Sequence, residues 1–476
     1  MKSGKFGFFG TVTAPQALSV ANELAKGVLY VPHRGDALRA PEHTAIAYSS
    51  STSRGFPWIE MDTSELSDGT LAAFHDATVD RITTSTGSVG SFNTAGYLAL
   101  VIDSDNWFGG GFGNLSPQIV SSVLSSYLGS CIFVVDEKTG GGGIMVTTLQ
   151  SAGVPTGQAM VGAQTYSDLA PAIAAGYAGL IASTPSQNTD PADAISNGVE
   201  FVAIDHLRGS AFITPWVASG VKVMCFTVQR KYDRDAMLAI GVTGFFSDDT
   251  EYLKADTPFS TTDNFAAQTW QPGMIAQNYK NSTASTDDGL DEPWRGRFVA
   301  PDKWGWTADN GTNLVRSVLQ GWGCPIKSTP TANDFTIDMK ITFGIPASGD
   351  QSRWGGVFIA ADDRAYESTA GGTGGPSGYL FFMRKNGTIA ISLSSNNQST
   401  DTLLAQNTSG AAIADNTEVR FKVIVTPTSL TIQRLDGGGS VVQTVTSNDT
   451  TAGRRGGFFH LCRSRMPVLF RDITIT

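Results

Sequence analysis

Between Val31 and Asp76 the chain gathers His33, Arg34, Glu42, His43, Glu60, Asp62, His75 and Asp76, a set able to carry out metal-assisted acid–base chemistry. Glu60 and Asp62 lie two apart behind Trp58-Ile59, so on a strand both carboxylates project from one face. Paired carboxylates are hard oxygen ligands suited to magnesium or calcium, and one divalent ion (Mg2+ or Ca2+) would offset their mutual repulsion. Two histidines beside such an ion supply a proton acceptor and a proton donor near neutral pH. Arg34 adds a planar fork of donors shaped for phosphate oxygens. Together these groups point to phosphoryl-ester chemistry.

The surrounding sequence supplies the elements that must hold them. Val28-Leu29-Tyr30-Val31 reads as a buried strand that ends just before His33. Asp68-Gly69 is a two-residue turn signal that folds 71–75 back beside 58–63 and brings His75 toward the carboxylates. Further strands are expected over 131–136, 158–163, 179–183, 201–205, 221–228 and 244–247. Helices are expected to start at Ser116-Pro117, Asp190-Pro191 and Thr214-Pro215, the last ending at Gly220. With the hairpin arm set aside, eight strands separated by crossovers predict an α/β TIM (β/α)8 barrel. In such a barrel the working groups sit at the carboxyl ends of strands, where His33, Arg34, Glu60, Asp62, Asp136 and Lys138 all fall.

The order His33-Arg34-Gly35, Pro41-Glu42-x-Thr44, Glu60-x-Asp62, Asp68-Gly69, His75-Asp76 and Thr78-Val79-Asp80-Arg81 resembles the glycerophosphodiester phosphodiesterase family. The likeness continues through Asp136-Glu137-Lys138 and returns at 221–249, so it covers about residues 28–250. The resemblance implies a phosphoric diester hydrolase in which His33 and His75 are general base and acid. It implies that Glu60, Asp62 and Asp136 hold the metal, that Arg34 and Lys138 grip the phosphate, and that Glu42 supports the site by hydrogen bonding or ligation. His43 stands where the family usually has asparagine, Asp136 where glutamate is commoner, and Phe226 where tryptophan is frequent. The implied substrates are glycerophosphodiesters, either small deacylated phospholipids or a polyglycerol-phosphate polymer such as teichoic acid.

At 476 residues, 41% of them apolar, the chain is long enough for two or three domains with real cores. The expected organisation is an amino-terminal segment over 1–26, the barrel over 27–255 and a β-sandwich over 256–476. A net charge of −10 without any Lys/Arg run argues against nucleic acid as a partner. No stretch is long and apolar enough to span a bilayer, and 6–12 is too short and glycine-interrupted for a clear signal peptide. A soluble protein is expected, of unassigned compartment, with an extracellular surface or a virion as settings that suit a polymeric substrate. Cys131 and Cys225 read as buried free thiols, whereas Cys324 and Cys462 leave a disulfide open. The segment 103–113, with Trp107 and Phe108, is expected either to wall the cleft or to pin a long loop, and 140–143 to form a flexible glycine turn.

After Asp249 helical periodicity stops. Short alternating runs, with turns at Lys385-Asn386-Gly387 and 436–439, predict the all-β sandwich, similar at the level of fold to a concanavalin-like jelly roll. Such modules bind glycans or surfaces, and Trp304, Trp306, Trp322, Trp354 or Tyr379 could stack on sugar rings. Asp350 and Asp362-Asp363 read as a solvated loop in preference to a calcium site, and His206 and His460 as structural. Homo-oligomerisation is left open. Two competing readings remain: a phospholipase D of the related toxin type, and a non-catalytic receptor-binding or structural protein, such as a phage tail component, that reuses the barrel.

Overall fold

The computed structural model describes residues 18–37, 39–103, 112–139, 142–255, 304–306, 324–325, 334–346, 349–360, 362–363, 377–394, 402–449, 458–463 and 466–476. Ten strands share the first sheet: β1 (Leu29–Pro32), β2 (Trp58–Glu65), β3 (Leu71–Ala73), β4 (Gln118–Ile119), β5 (Ile132–Glu137), β6 (Ala159–Ala163), β7 (Ala178–Ser183), β8 (Phe201–Asp205), β9 (Lys222–Phe226) and β10 (Gly244–Ser247). Their order is β1-β10-β9-β8-β7-β6-β5-β2-β3-β4. Every pairing from β1 round to β2 is parallel, and β3 and β4 continue antiparallel. β1 lies in contact with β2, so the eight parallel strands curl into a TIM-barrel-like sheet.

The alternation of side chains explains both layers. Leu29, Val31, Trp58, Ile132, Val134, Met160, Leu180, Phe201, Met224 and Phe246 form the interior cluster, while the intervening Ile59, Phe133, Val135, Val161, Ile181, Val202, Cys225 and Phe245 pack under the helices. Glu60, Asp62 and Asp136 share parity with Trp58 and Val134, which turns them inward at the carboxyl end. The Asp68-Gly69 hairpin forms as expected: Gly69 adopts φ +81° and Glu65 pairs with Leu71. Cys131 and Cys225 are free and buried.

Local differences have local causes. The helix expected from Ser116-Pro117 begins only at Val120, because Gln118–Ile119 is drawn into the sheet beside β3. The helix expected from Thr214-Pro215 spans Ser210–Ser219 and contains Pro215, its start set by Gly209 at φ 73°, while Gly220 ends it in the left-handed region as expected. Of the glycine turn expected over 140–143, residues 140 and 141 lie outside the described residues, while Gly142 and Gly143 open the helix Gly142–Ser151. A Cβ on Gly142 would lie 1.8 Å from the Asp168 carbonyl oxygen, so close backbone approach explains that glycine. Trp107 and Phe108 lie outside the described residues.

The second half contains two six-stranded antiparallel sheets. One is ordered β11-β22-β13-β18-β19-β20 and the other β12-β21-β14-β15-β16-β17. Their strands are β11 (Trp304–Trp306), β12 (Cys324–Pro325), β13 (Phe335–Phe343), β14 (Trp354–Ala360), β15 (Gly378–Arg384), β16 (Ile389–Ser394), β17 (Thr402–Asn407), β18 (Thr417–Thr426), β19 (Ser429–Leu435), β20 (Val441–Ser447), β21 (Phe458–Arg463) and β22 (Val468–Ile475). β13 buries every second residue from Phe335 to Phe343, and residues of both sheets form a single core, the two-layer sandwich expected. β17 had no signal in the sequence because it is a largely exposed edge strand, defined by its pairing with β16. The jelly-roll likeness remains a fold-level expectation, and the side chains of Cys324 and Cys462 are outside the described ones.

Two expectations for this half are corrected. Tyr379 is fully buried, its hydroxyl donating to Asp449 Oδ1 at 3.1 Å, so its ring is not available to a sugar. Asp363 is buried as well and is no part of a solvated loop. Trp354 is half-buried against Phe382, with ring centroids 5.3 Å apart. Trp322 and the side chains of Trp304 and Trp306 are outside the described ones.

Gly35 pins the loop after β1 to the helix Ala45–Ser53. It sits at φ +84°, and a Cβ there would meet Ala47 Cβ at 2.7 Å and the Ala47 carbonyl carbon at 3.0 Å. Gly35→Ala should therefore lower stability by about 2–4 kcal/mol in denaturant unfolding. Wild-type stability in that variant would show that the loop can move away from the helix.

Candidate active site

β1 delivers the first group. The chain leaves Pro32 through a short turn, His33–Gly35, with Arg34 at φ 53° and Asp36 at φ 76°, and this kink returns the Arg34 amide toward β2. That N–H donates to Glu60 Oε2 at 2.5 Å. Among the described residues, His33, Glu60 and Asp62 offer ligand atoms that all lie within 4.8 Å of one another. His33 Nδ1 lies 2.6 Å from Asp248 Oδ1. A carboxylate can only accept, so Nδ1 carries the proton and Nε2 is left as the basic or ligating nitrogen. Asp248 is in turn fixed by Gln229 Nε2, which donates to Oδ2 at 2.7 Å.

The carboxylate pair is almost wholly buried, Glu60 at 3% exposure and Asp62 at 2%. Burial, and next the charge of Asp62, push Glu60 well above the usual carboxylate range. Burial acts on Asp62 in the same direction, but the cations Lys138 and Arg34 override it and hold Asp62 well below that range. Lys138 Nζ lies 3.0 Å from Asp62 Oδ1 and 2.6 Å from Asp136 Oδ2, and Arg34 Nε lies 3.0 Å from Asp62 Oδ2. Lys138 is desolvated, yet Asp136 and Asp62 raise its affinity for its proton, so it remains a cation.

Glu42 supports the site through hydrogen bonds. It receives Arg34 Nη1 at 3.1 Å and a two-pronged contact from Arg81, with Nη1 to Oε2 at 3.0 Å and Nη2 to Oε1 at 2.6 Å. Burial raises its proton affinity, but Arg81 and Arg34 more than offset this and keep Glu42 well below the ordinary range. Arg81 also contacts Asp76, whose Oδ1 lies 2.7 Å from His75 Nδ1. His75, with a third of its side chain exposed, thus has its Nδ1 proton oriented as His33 has, and its other nitrogen left for chemistry.

All eight residues singled out in the sequence therefore fall in one region, with a division among them. The convergent donor set is His33, Glu60 and Asp62, whereas Asp136 is engaged by Lys138 and does not belong to that tight cluster. Several residues had no role assigned from sequence. His43 is buried, with Nε2 3.0 Å from Asp62 Oδ2 and Nδ1 3.0 Å from the Tyr48 hydroxyl, and burial lowers its proton affinity. A neutral imidazole that donates to Asp62 and accepts from Tyr48 satisfies both contacts. Arg81 closes the Thr78-Val79-Asp80-Arg81 motif and Asp248 falls within 221–249, just beyond β10, but the sequence assigns neither a partner. Gln229 offers no signal, since its role depends on a partner from another strand end.

Residues 33–111 match the model of the glycerophosphoryl diester phosphodiesterase family. Over those residues the barrel segment is similar to that family. A glycerophosphodiester phosphodiesterase of Bacillus subtilis (strain 168) is 35% identical over 98 residues, 20% of this chain and 33% of that protein. One from Caldanaerobacter subterraneus is 41% identical over 64 residues, 13% of this chain and 26% of that protein. The matched region thus spans a third or less of these relatives. Among solved structures, an Oleispira antarctica phosphodiesterase in complex with the product sn-glycerol-3-phosphate is 20% identical with a TM-score of 0.43, covering 48% of this chain and 96% of its own.

Glu42 generates a test. Glu42→Gln leaves two buried guanidinium groups short of a counter-charge and should cost about 3 kcal/mol at neutral pH. Because the folded-state proton affinity of Glu42 is depressed, its contribution is full above the usual carboxylate range and is lost as pH falls through the lowered value. Denaturant unfolding of both proteins against pH should show the wild-type advantage shrinking only in acid. An advantage independent of pH would mean that shape, not charge, is what Glu42 contributes.

Proposed function

We propose that the barrel hydrolyses glycerophosphodiester bonds with the help of one divalent cation, Mg2+ or Ca2+. The observation that carries this reading is the convergence of His33, Glu60 and Asp62 at the carboxyl end of the barrel, flanked by Arg34 and Lys138. The donor set fits a hard cation: two buried carboxylates stand side by side, and burial, reinforced by the charge of Asp62, raises Glu60. Glu60 and Asp62 would hold the ion, with Asp136 able to join them by exchanging Lys138 for the metal. Such an ion would neutralise charge developing on the phosphoryl oxygens.

The residues of the chain divide the remaining work. Arg34 and Lys138 orient and balance the phosphate. His33, with Nδ1 committed to Asp248, takes the proton of a glycerol hydroxyl beside the phosphoester as that oxygen bonds to phosphorus. His75, with Nδ1 committed to Asp76, protonates the alcohol oxygen as the phosphorus–oxygen bond to it breaks. The cyclic phosphate is then opened by water, with the two histidines exchanging roles. Substrates are small glycerophosphodiesters or a polyglycerol-phosphate polymer such as teichoic acid, and the sandwich targets or assembles the enzyme at such a surface, on a cell or a virion. No helix among the described residues is long and apolar enough to cross a membrane.

The test is release of glycerol 3-phosphate or free alcohol from glycerophosphocholine and from polyglycerol phosphate, with magnesium, calcium or chelator. Turnover should vanish with chelator and fall about a thousand-fold or more in His33→Ala, the range typical of a lost acid–base group. Folded wild-type protein that turns over neither substrate with either metal would overturn the reading in favour of a barrel retained as scaffold.

A further inference from the structure

The helix Lys231–Ala239 follows β9 and begins without any cap of its own. Its N-cap residue is Arg230, whose side chain makes no capping hydrogen bond. Arg230 is 2% exposed, and among the described residues its three guanidinium nitrogens have no hydrogen-bond partner. A donor-only side chain cannot accept from the free amides of a helix start, and buried without a partner it adds nothing to hold the loop in place. The loop 227–230 is tied to β10 at Val228, whose amide donates to the Phe246 carbonyl, but its end at Arg230 has no side-chain hydrogen bond of its own, and it carries Gln229, which fixes Asp248 and through it His33.

The missing acceptor comes from the β-sandwich. Asp363, 2% exposed, receives the Lys231 amide at Oδ2 (2.6 Å) and the Tyr232 amide at Oδ1 (2.9 Å). The same Oδ2 receives the hydroxyl of Tyr252 at 2.9 Å. Tyr252 lies in the helix Thr250–Lys254, directly after the loop that bears Asp248. One carboxylate thus ties together the two chain segments whose side chains meet in the Gln229–Asp248 contact. Lys231 Nζ lies 4.6 Å from the Tyr252 ring centroid and reinforces the same junction.

We propose that Asp363 is a positioning residue for the barrel's active site: by clasping the loops after β9 and β10 it fixes Gln229 and Asp248, and hence His33. The sandwich is on this account a working part of the hydrolase, in addition to any targeting role. The inference rests on the hydrolase reading above for its kinetic consequence, and on the clasp geometry alone for its structural one.

The experiment compares full-length wild type, Asp363→Ala and Asp363→Asn by steady-state hydrolysis of the better of the two substrates and by amide hydrogen exchange. In Asp363→Ala kcat should fall about ten-fold or more with KM nearly constant, as displaced acid–base groups do. Asp363→Asn keeps an oxygen acceptor and should recover part of that loss. Exchange in Asp363→Ala should quicken at 227–233 and 247–252 while 335–343 stays protected. Wild-type kcat in folded Asp363→Ala, or a loss confined to KM, would overturn the proposal. If Asp363→Ala does not fold, the decision passes to Asp363→Asn, where an unaltered kcat overturns it. A wild type without turnover sinks the hydrolase reading instead, and the clasp is then judged on exchange, with unchanged rates at 227–233 and 247–252 overturning it.

Discussion

Two carboxylates placed side by side in a nearly dry barrel mouth are the constraint around which the rest of the site is arranged. Glu60 and Asp62 share a face because they are two apart on β2, and the inward parity that buries Trp58 buries them too. Like charges at that depth cannot both remain ionised without compensation. Arg34, Lys138 and the His43 donor supply it on the side of Asp62, which leaves Glu60 as the group with unmet demand for positive charge. That imbalance is the basis for the divalent cation proposed above.

Compensation then spreads outward as a chain of contacts. Arg34 reaches Glu42, Glu42 takes Arg81, and Arg81 holds Asp76 against His75. The loop after β1, the segment at 76–81 and the end of β2 are thereby locked in one arrangement, and the second histidine is placed by the network that balances the first carboxylates. A parallel device serves His33, whose Asp248 comes from the far end of the barrel sequence and closes the ring where β1 meets β10. Each imidazole has one nitrogen committed to an aspartate and the other not bound to that aspartate, the division that the proposed acid–base chemistry needs.

The second module enters the same logic. Its Asp363 provides to the helix after β9 the acceptor that Arg230 cannot, so this join between barrel and sandwich occurs at the carboxyl end of the barrel strands. A carboxylate read from sequence as solvated is instead among the most buried of the described residues. The correction is instructive, since an aspartate pair in a glycine-rich stretch carries no mark of a partner more than a hundred residues away.

The sequence by itself determined the barrel, the hairpin and the sandwich, because each is written in a local period: alternation along strands, Asp68-Gly69 at a turn, apolar runs between crossovers. It also determined which eight side chains gather, since strand ends in a barrel face one mouth and the spaced motifs name the residues. Tertiary structure alone decided how they divide. That Lys138 turns to both its near neighbour Asp136 and Asp62 of another strand, that His33 joins Glu60 and Asp62, that His43 serves Asp62, and that Gln229, Asp248 and Asp363 stand behind His33 depend on contacts between separate segments of the chain. Tertiary contact likewise moved one helix start, to Val120 after Gln118–Ile119, which pairs with β3. Local propensity sets what a segment can form. Hydrogen-bond partners supplied by other segments decide where it begins and which polar group it serves.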